Sequence, residues 1–131
     1  MSNVVIQGFP NNGAYTLADL VPPAGYNKYV ALLTQSGTNA PVATVLENTL
    51  GVDITWVRIG TGVYQGQIPD PLFLVNKTWA ICGQTGLMAD SHTQINYNLD
   101  TNLVVATFSY PGGSLSDDIL NYTSIEIRIY P

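Results

Sequence analysis

Hydrophobic and polar residues alternate most regularly near the end of the chain. Ile125, Ile127 and Ile129 fall on one side of an extended backbone, and Glu126 and Arg128 fall on the other. A period of two is typical of a β-strand with one buried and one solvated face. The segment therefore predicts a strand whose isoleucines face the core and whose two charged side chains pair at the surface.

Two earlier segments alternate in the same way. The pattern predicts two strands, each with its apolar side chains turned towards the core and its polar side chains turned towards solvent. The inward-facing residues are expected to be Ile95, Tyr97 and Leu99 in the first segment, and Val104, Ala106 and Phe108 in the second.

Short apolar or β-branched runs between turn-forming residues predict the remaining strands. They cover residues 29–33, 42–50, 54–59, 63–68 and 77–82. The glycines of residues 60–62 predict a tight turn, so the strands on either side are expected to pair as a hairpin. About eight short strands without a long helical segment predict an all-β fold. We expect an antiparallel β-sandwich with Greek-key or jelly-roll-like connections, and a barrel is the alternative.

The first 27 residues differ from the rest of the chain. They contain one short apolar run, residues 4–6, and a stretch that predicts a single helical turn, residues 16–21. We interpret residues 1–27 as an extended arm or anchor segment that contacts a neighbouring subunit or the capsid, and residues 28–131 as the sandwich domain. The alternative is that the segment supplies a first strand to the domain itself.

Charged residues are unusually scarce. They make up 10% of the chain, against about 25% in an average domain. A neutral polar surface repels neighbouring molecules weakly, so association with copies of the chain or with a partner is expected. The four basic residues are scattered, and nucleic acids and anionic membranes both select clustered Lys and Arg. We therefore expect neither nucleic acid nor membrane as a partner.

The beginning of the chain has no basic stretch followed by an apolar core, and no apolar run is long enough to cross a bilayer. The expectation is a protein made in the cytoplasm and not secreted through a signal peptide. Cys82 is the only cysteine, which excludes a disulfide within the chain. Its position in a predicted strand indicates a small buried thiol.

The sequence contains few candidates for catalytic residues. His92 is the only histidine, and its neighbours Asp90 and Ser91 are too close in sequence to converge on it as a catalytic triad does. We interpret His92 as a surface-loop residue without a catalytic role. The sequence therefore predicts no catalytic residues, and the protein is not expected to be an enzyme.

Metal and cofactor sites are equally weakly indicated. One cysteine and one histidine cannot supply the usual zinc ligands. The best group of oxygen ligands is Asp117 and Asp118 with Ser114 and Ser116, but their spacing matches no calcium loop. We predict no metal site and no cofactor.

Aromatic residues are the most suggestive feature. Trp56 and Trp79 lie within predicted strands and are expected to pack in the core, although one of them is an alternative candidate for a sugar-stacking surface. Several tyrosines are candidates for a half-exposed interface, where tyrosine is enriched. These tyrosines are Tyr64, Tyr97, Tyr110, Tyr122 and Tyr130.

Three stretches, residues 28–51, 56–64 and 123–131, resemble a small β module in structural proteins of tailed bacteriophages. The module is associated especially with crAss-like phages and other phages of Bacteroidota. The resemblance covers residues 28–131. It implies a virion protein, either a capsid-decoration, head-fibre or tail-fibre component, located in the virion and bound to other virion proteins.

The same resemblance implies a homo-oligomer that acts by assembly, and it carries no catalytic residues. A carbohydrate-binding or host-receptor-binding module is the alternative, with a glycan of the host surface as its partner. A bacterial surface-layer or other interaction protein is a further alternative.

Overall fold

The fold is all-β. The computed structural model describes residues 4–5, 14–15, 25–83, 91–109 and 112–131. Those residues form ten strands and no helix. The strands are β1 (Val4–Val5), β2 (Ala14–Tyr15), β3 (Asn27–Thr34), β4 (Val42–Asn48), β5 (Thr55–Gly60), β6 (Val63–Gln67), β7 (Thr78–Cys82), β8 (His92–Leu99), β9 (Asn102–Phe108) and β10 (Thr123–Ile129). None of the described residues forms a helix that could span a membrane.

Two four-stranded antiparallel sheets make up the domain. Sheet I has the order β4-β3-β10-β7, and sheet II has the order β5-β6-β9-β8. Strands β1 and β2 pair with each other in a separate two-stranded sheet. The predicted antiparallel sandwich of eight strands is therefore confirmed, and so is the predicted hairpin between β5 and β6.

The last four strands follow a Greek-key order. Strands β7 and β8 belong to different sheets. They lie side by side, and the Thr93 hydroxyl of β8 donates a hydrogen bond to the Gly83 carbonyl just after β7 at 3.0 Å. Strand β9 pairs with β8, and β10 then returns to pair with β7. The spatial order β10-β7-β8-β9 is that of a Greek key.

The core lies between the two sheets. Ile125 and Ile127 are buried as predicted, and the Glu126 and Arg128 side chains pair on the outer face at 3.3 Å. Trp56 is also in the core, where its indole nitrogen donates to the Tyr29 hydroxyl at 3.3 Å. Removing the side chain of Ile125 or Ile127 from water stabilises the fold by about 1.5–3 kcal/mol. The largest fully buried apolar side chains are Tyr29, Tyr64, Phe73, Leu33, Leu103, Leu120, Ile125, Ile127 and Val105.

The predicted facing of β9 is wrong by one residue. Leu103, Val105 and Thr107 are fully buried, whereas the residues between them lie on the outer face. Val104, Ala106 and Phe108 are therefore not core residues. Both faces of this strand carry apolar side chains, so its periodicity is ambiguous. The pairing decides it, because Leu103 and Val105 lie opposite the inward-facing Tyr97 and Ile95 of β8.

Leu99 also departs from its predicted position. Ile95 and Tyr97 pack against the core as expected, but 59% of Leu99 is exposed. The register with β9 shifts between Tyr97 and Leu99. A residue that follows such a bulge no longer keeps the alternation of the strand, and this one ends at the surface.

The sandwich begins slightly before the predicted boundary. Asn27 is the first residue of β3, and the Tyr26 ring contacts Arg128 and Tyr130 of the sandwich. The last residues of the predicted arm therefore contribute contacts to the domain. The helical turn predicted over residues 16–21 lies outside the described residues.

Candidate interaction surfaces

The outer face of sheet II is uncharged. Among the residues of its four strands, which all belong to the described part of the chain, Arg58 is the only charged one. Arg58 pairs with Tyr64, which is fully buried, so it lies on the core side of the sheet. One row across the outer face consists of Val57, Gln65, Val104 and Asn96.

The other rows of this face are similar. Val63, Ala106 and Gln94 form the next row, and the amide of Gln67 donates to the side-chain oxygen of Gln65 at 2.7 Å. These side chains can pack or hydrogen-bond with a partner without desolvating a charge, which would be costly. The face is therefore suited to contact with another protein surface.

His92 lies on this uncharged face. Its ring stacks on the Phe108 ring, with centroids 4.6 Å apart and the planes 6° from parallel. Of its sequence neighbours, Ser91 is buried and Asp90 lies outside the described residues. His92 is exposed as expected, but it is the first residue of β8 and not a loop residue. The absence of a catalytic role stays a prediction.

The outer face of sheet I carries charges that compensate each other. Lys28 pairs with Glu47 at 3.1 Å, and Arg128 pairs with Glu126 at 3.3 Å. Glu47 and Glu126 are the two glutamates of the chain, and both lie beside Val30 in the strand register. The four charges cancel, so the net charge of −5 comes from the rest of the molecule.

An aromatic cluster at one end of this face surrounds Arg128. The guanidinium carbon lies 4.4 Å from the centroid of the Trp79 ring and 4.7 Å from that of Tyr26. The Tyr26 ring contacts Tyr130 with centroids 5.1 Å apart. We call these four residues the aromatic cluster. Hydrogen bonding by Tyr130, aided by the charge of Glu126, raises the pKa of Arg128, so the guanidinium stays charged.

Trp79 is on the surface, not in the core. Its side chain is 39% exposed, and Tyr130 is 40% exposed. Trp79 lies on β7, an edge strand of sheet I, directly opposite Arg128 of β10. The expectation of core packing is wrong for Trp79, and the alternative of an exposed aromatic surface remains. A groove of about 310 Å³ adjoins the cluster and is lined by Gly25, Tyr26, Asn27, Ile129, Tyr130 and Pro131.

Asp117 is committed to internal hydrogen bonds. Its carboxylate accepts two bonds from Arg58, at 2.8 and 3.1 Å, one from the Gly62 amide at 3.0 Å and one from the Tyr64 hydroxyl at 2.8 Å. The Arg58 guanidinium, helped by the Gly62 amide and the Tyr64 hydroxyl, holds the pKa of Asp117 well below its usual range. Asp118 accepts from the Gly37 amide.

These bonds make the Asp117 and Asp118 carboxylates parts of the fold, and the absence of a calcium site stays a prediction. No group of three or more metal-ligating side chains occurs in the described part of the chain. Tyr64 is correspondingly buried, which corrects the expectation that it is half-exposed. Burial, together with the adjacent Asp117 carboxylate, raises the pKa of Tyr64.

The remaining tyrosine candidates and Cys82 differ in how far they are exposed. Tyr122 is 63% exposed and Tyr97 is half-buried, while Tyr110 lies outside the described residues. Cys82 is a half-buried free thiol, and burial raises its pKa. A raised pKa disfavours the reactive thiolate, in keeping with an inert thiol.

No family model, curated protein or solved structure matches the chain.

Proposed function

We propose that this chain is a structural component of a phage virion, bound to the capsid or to a fibre, which acts by assembly and not by catalysis. The virion context comes from the resemblance of residues 28–131 to a phage structural module. The uncharged outer face of sheet II is the observation that carries the assembly role. A face of this kind loses little hydration when it is covered by a partner.

The distribution of charge supports the same proposal. Asp53, Asp70 and Asp100 are exposed in connections between strands, not on the sheet faces. Like charges at the ends of a sandwich keep the molecule soluble while its sides approach a neighbour. The side of sheet II is therefore the surface that we expect to meet another virion protein.

The direct test is the composition of purified particles. Virions from a culture that expresses the chain should contain it in a fixed ratio to the major capsid or fibre protein, measured by quantitative mass spectrometry. It should remain bound after a salt wash, because an uncharged interface is not weakened by screening. A chain that is expressed but absent from salt-washed particles would exclude the virion role.

A second function is favoured by the aromatic cluster, namely binding of a neutral saccharide. Exposed Trp79 and Tyr130 offer ring surfaces to the apolar face of a sugar, and the Arg128–Glu126 pair offers donors and acceptors to hydroxyl groups. Because Glu126 offsets the charge of Arg128, the cluster suits an uncharged ligand better than an anionic one.

The saccharide proposal is tested with neutral host-surface oligosaccharides. Binding should perturb the NMR signals of the indole groups, and Trp79→Ala should abolish the binding. Val75→Ala is a matched control, because Val75 is 72% exposed and lies in a loop. Equal binding by both variants would exclude the cluster as the site.

A further inference from the structure

Strand β4 is an edge of sheet I with an unusual composition. Residues 42–46 contain no charged residue, and their large apolar side chains are exposed, with 67% for Val42, 50% for Val45 and 61% for Leu46. An edge strand presents unpaired backbone N–H and C=O groups, and natural proteins normally protect it with charges, proline or a covering segment. An uncovered apolar edge of this kind indicates a site of strand pairing.

The other edges are better protected. Strand β5 contains Arg58 and a register shift, and β8 exposes polar side chains such as Gln94 and Asn96. Strand β7 lies against β8 at the side of the sandwich, where the Thr93 hydroxyl donates to the Gly83 carbonyl. Among the edges of sheets I and II, β4 therefore combines apolar exposure with the least protection.

We propose that β4 pairs antiparallel with β4 of a second copy of this chain, about a two-fold axis at Thr44. This inference rests on the proposed assembly function and names its first partner. The result would be a continuous eight-stranded sheet across two subunits. A two-fold interface requires a surface that is complementary to itself, and the facing of residues 43–45 meets that requirement.

Facing restricts the two-fold axis to a residue position, and Thr44 is the central residue of the uncharged run 42–46. Ala43 and Val45 lie opposite the buried Leu33 and Ala31 of β3, so both are on the core side, whereas Thr44 is on the outer side. Directly opposite residues of an antiparallel pair must share a face. An axis at Thr44 satisfies this rule, because it places Ala43 against Val45 of the partner subunit. It also joins the two Thr44 residues, which can hydrogen-bond with each other.

Both ends of the pairing are defined. Pro41 precedes the uncharged run and has no N–H to donate, and Glu47 follows it with its charge paired to Lys28 at 3.1 Å. In the proposed register, Pro41 lies opposite Glu47 of the partner subunit, so pairing stops there. The register shift beside Leu46 also falls at this end and leaves the centre of the seam regular.

Charge substitutions at the axis test the proposal. Thr44 is exposed, so Thr44→Lys and Thr44→Glu should fold as the unchanged chain does. In a dimer, either variant places like charges directly opposite each other, and we expect the dissociation constant to rise by about tenfold or more. Mixing the two variants places Lys against Glu and should restore a heterodimer.

Thr55→Lys, an exposed position on β5, is the matched control and should leave the dimer unchanged. Sedimentation velocity of the full chain measures all four.

Cross-linking tests the register itself. In a Cys82→Ser background, Thr44→Cys should form a disulfide-linked dimer under mild oxidation. Val42→Cys should not, because the two copies of residue 42 are offset by four residues, about 13 Å along the strands. A disulfide at residue 42 but not at 44 would overturn the register.

Two outcomes would overturn self-pairing of β4. The first is a chain that is monomeric at every concentration, and the second is a mixture of the Thr44→Lys and Thr44→Glu variants that does not associate. These outcomes are distinct from failure of the virion role, because the same variants can be assayed for incorporation into particles. Monomeric chains that are still incorporated would reject the β4 dimer and leave the virion function standing.

Discussion

The guanidinium of Arg128 lies over the ring of Trp79, 4.4 Å from its centroid, and it joins an exposed edge strand to the centre of sheet I. Arg128 and Trp79 are directly opposite residues of β10 and β7. Cross-strand pairs of this kind stabilise a sheet and fix its register. The pair also limits what Trp79 can bind, because Arg128 occupies one face of the indole ring.

Substitutions at two neighbouring positions of β10 should have opposite consequences. Ile127→Asp places an unpaired charge in the fully buried core and should prevent folding, at a cost of more than about 4 kcal/mol. Arg128→Ala should fold, with a small decrease in Tm and a red shift of Trp79 fluorescence as the stacked cation is lost. Thermal melts and emission spectra measure both. Equal tolerance of the two changes would contradict the strand register.

Strand β10 shows how much of this fold is predictable from sequence. Its isoleucines alternate with charged residues, so only one facing is compatible with a dry core. In β9, Leu103 and Val104 are both apolar, and the facing depends on pairing with residues distant in sequence. A local pattern cannot supply that information.

The surface features differ in the same way. The uncharged outer face of sheet II is partly predictable, because charged residues are scarce in the sequence. It also depends on the inward position of Arg58, which the sequence alone does not show. The hydrogen bonds of Asp117 were not predictable, because Arg58 and Tyr64 lie more than fifty residues away in sequence. Trp79 was misplaced because a tryptophan in a strand gives no indication of whether the strand is at an edge.

Acid should weaken the sandwich through Asp117. Its pKa in the folded protein is depressed, so the carboxylate contributes stability above its unfolded pKa of about 3.9. This contribution is lost as pH falls through the folded value. Denaturant unfolding should show stability decreasing below about pH 4.

Asp117→Asn should remove much of that pH dependence. It should also lower the free energy of unfolding at neutral pH by about 2–4 kcal/mol, because Arg58 and the Gly62 amide lose their charged acceptor. Asp70→Asn, at an exposed position, is the control and should leave the loss of stability at low pH unchanged. If Asp117→Asn loses stability at low pH as the unchanged chain does, another carboxyl group is responsible.

A charge placed on the uncharged face of sheet II should interfere with assembly but not with folding. Val104 lies at the centre of that face and is half-buried by its neighbours, so Val104→Lys can extend its ammonium group to solvent. We expect a near-normal melt and a loss of incorporation into particles. Val75→Lys, at a loop position, is the control. Normal incorporation of Val104→Lys would show that the partner binds elsewhere.

The segment before the sandwich is the remaining candidate for an anchor. Strands β1 and β2 pair with each other and not with sheet I or II, so deleting residues 1–24 removes no strand from either sheet. A chain that begins at Gly25 should therefore keep a cooperative melt. It should lose incorporation into particles if the apolar residues of the segment, such as Val4 and Val5, bind a neighbouring protein by strand addition.

A chain that begins at Lys28 separates the two roles further. It also lacks Tyr26, whose ring contacts Arg128 and Tyr130, and should melt at a lower temperature than the chain that begins at Gly25. Calorimetry and particle composition, measured on both shortened chains and the full chain, decide between the alternatives. Loss of the cooperative transition on removal of residues 1–24 would make the segment part of the domain. Normal incorporation of the shortened chains would place the anchor within the sandwich, where the uncharged face of sheet II is the first surface to examine.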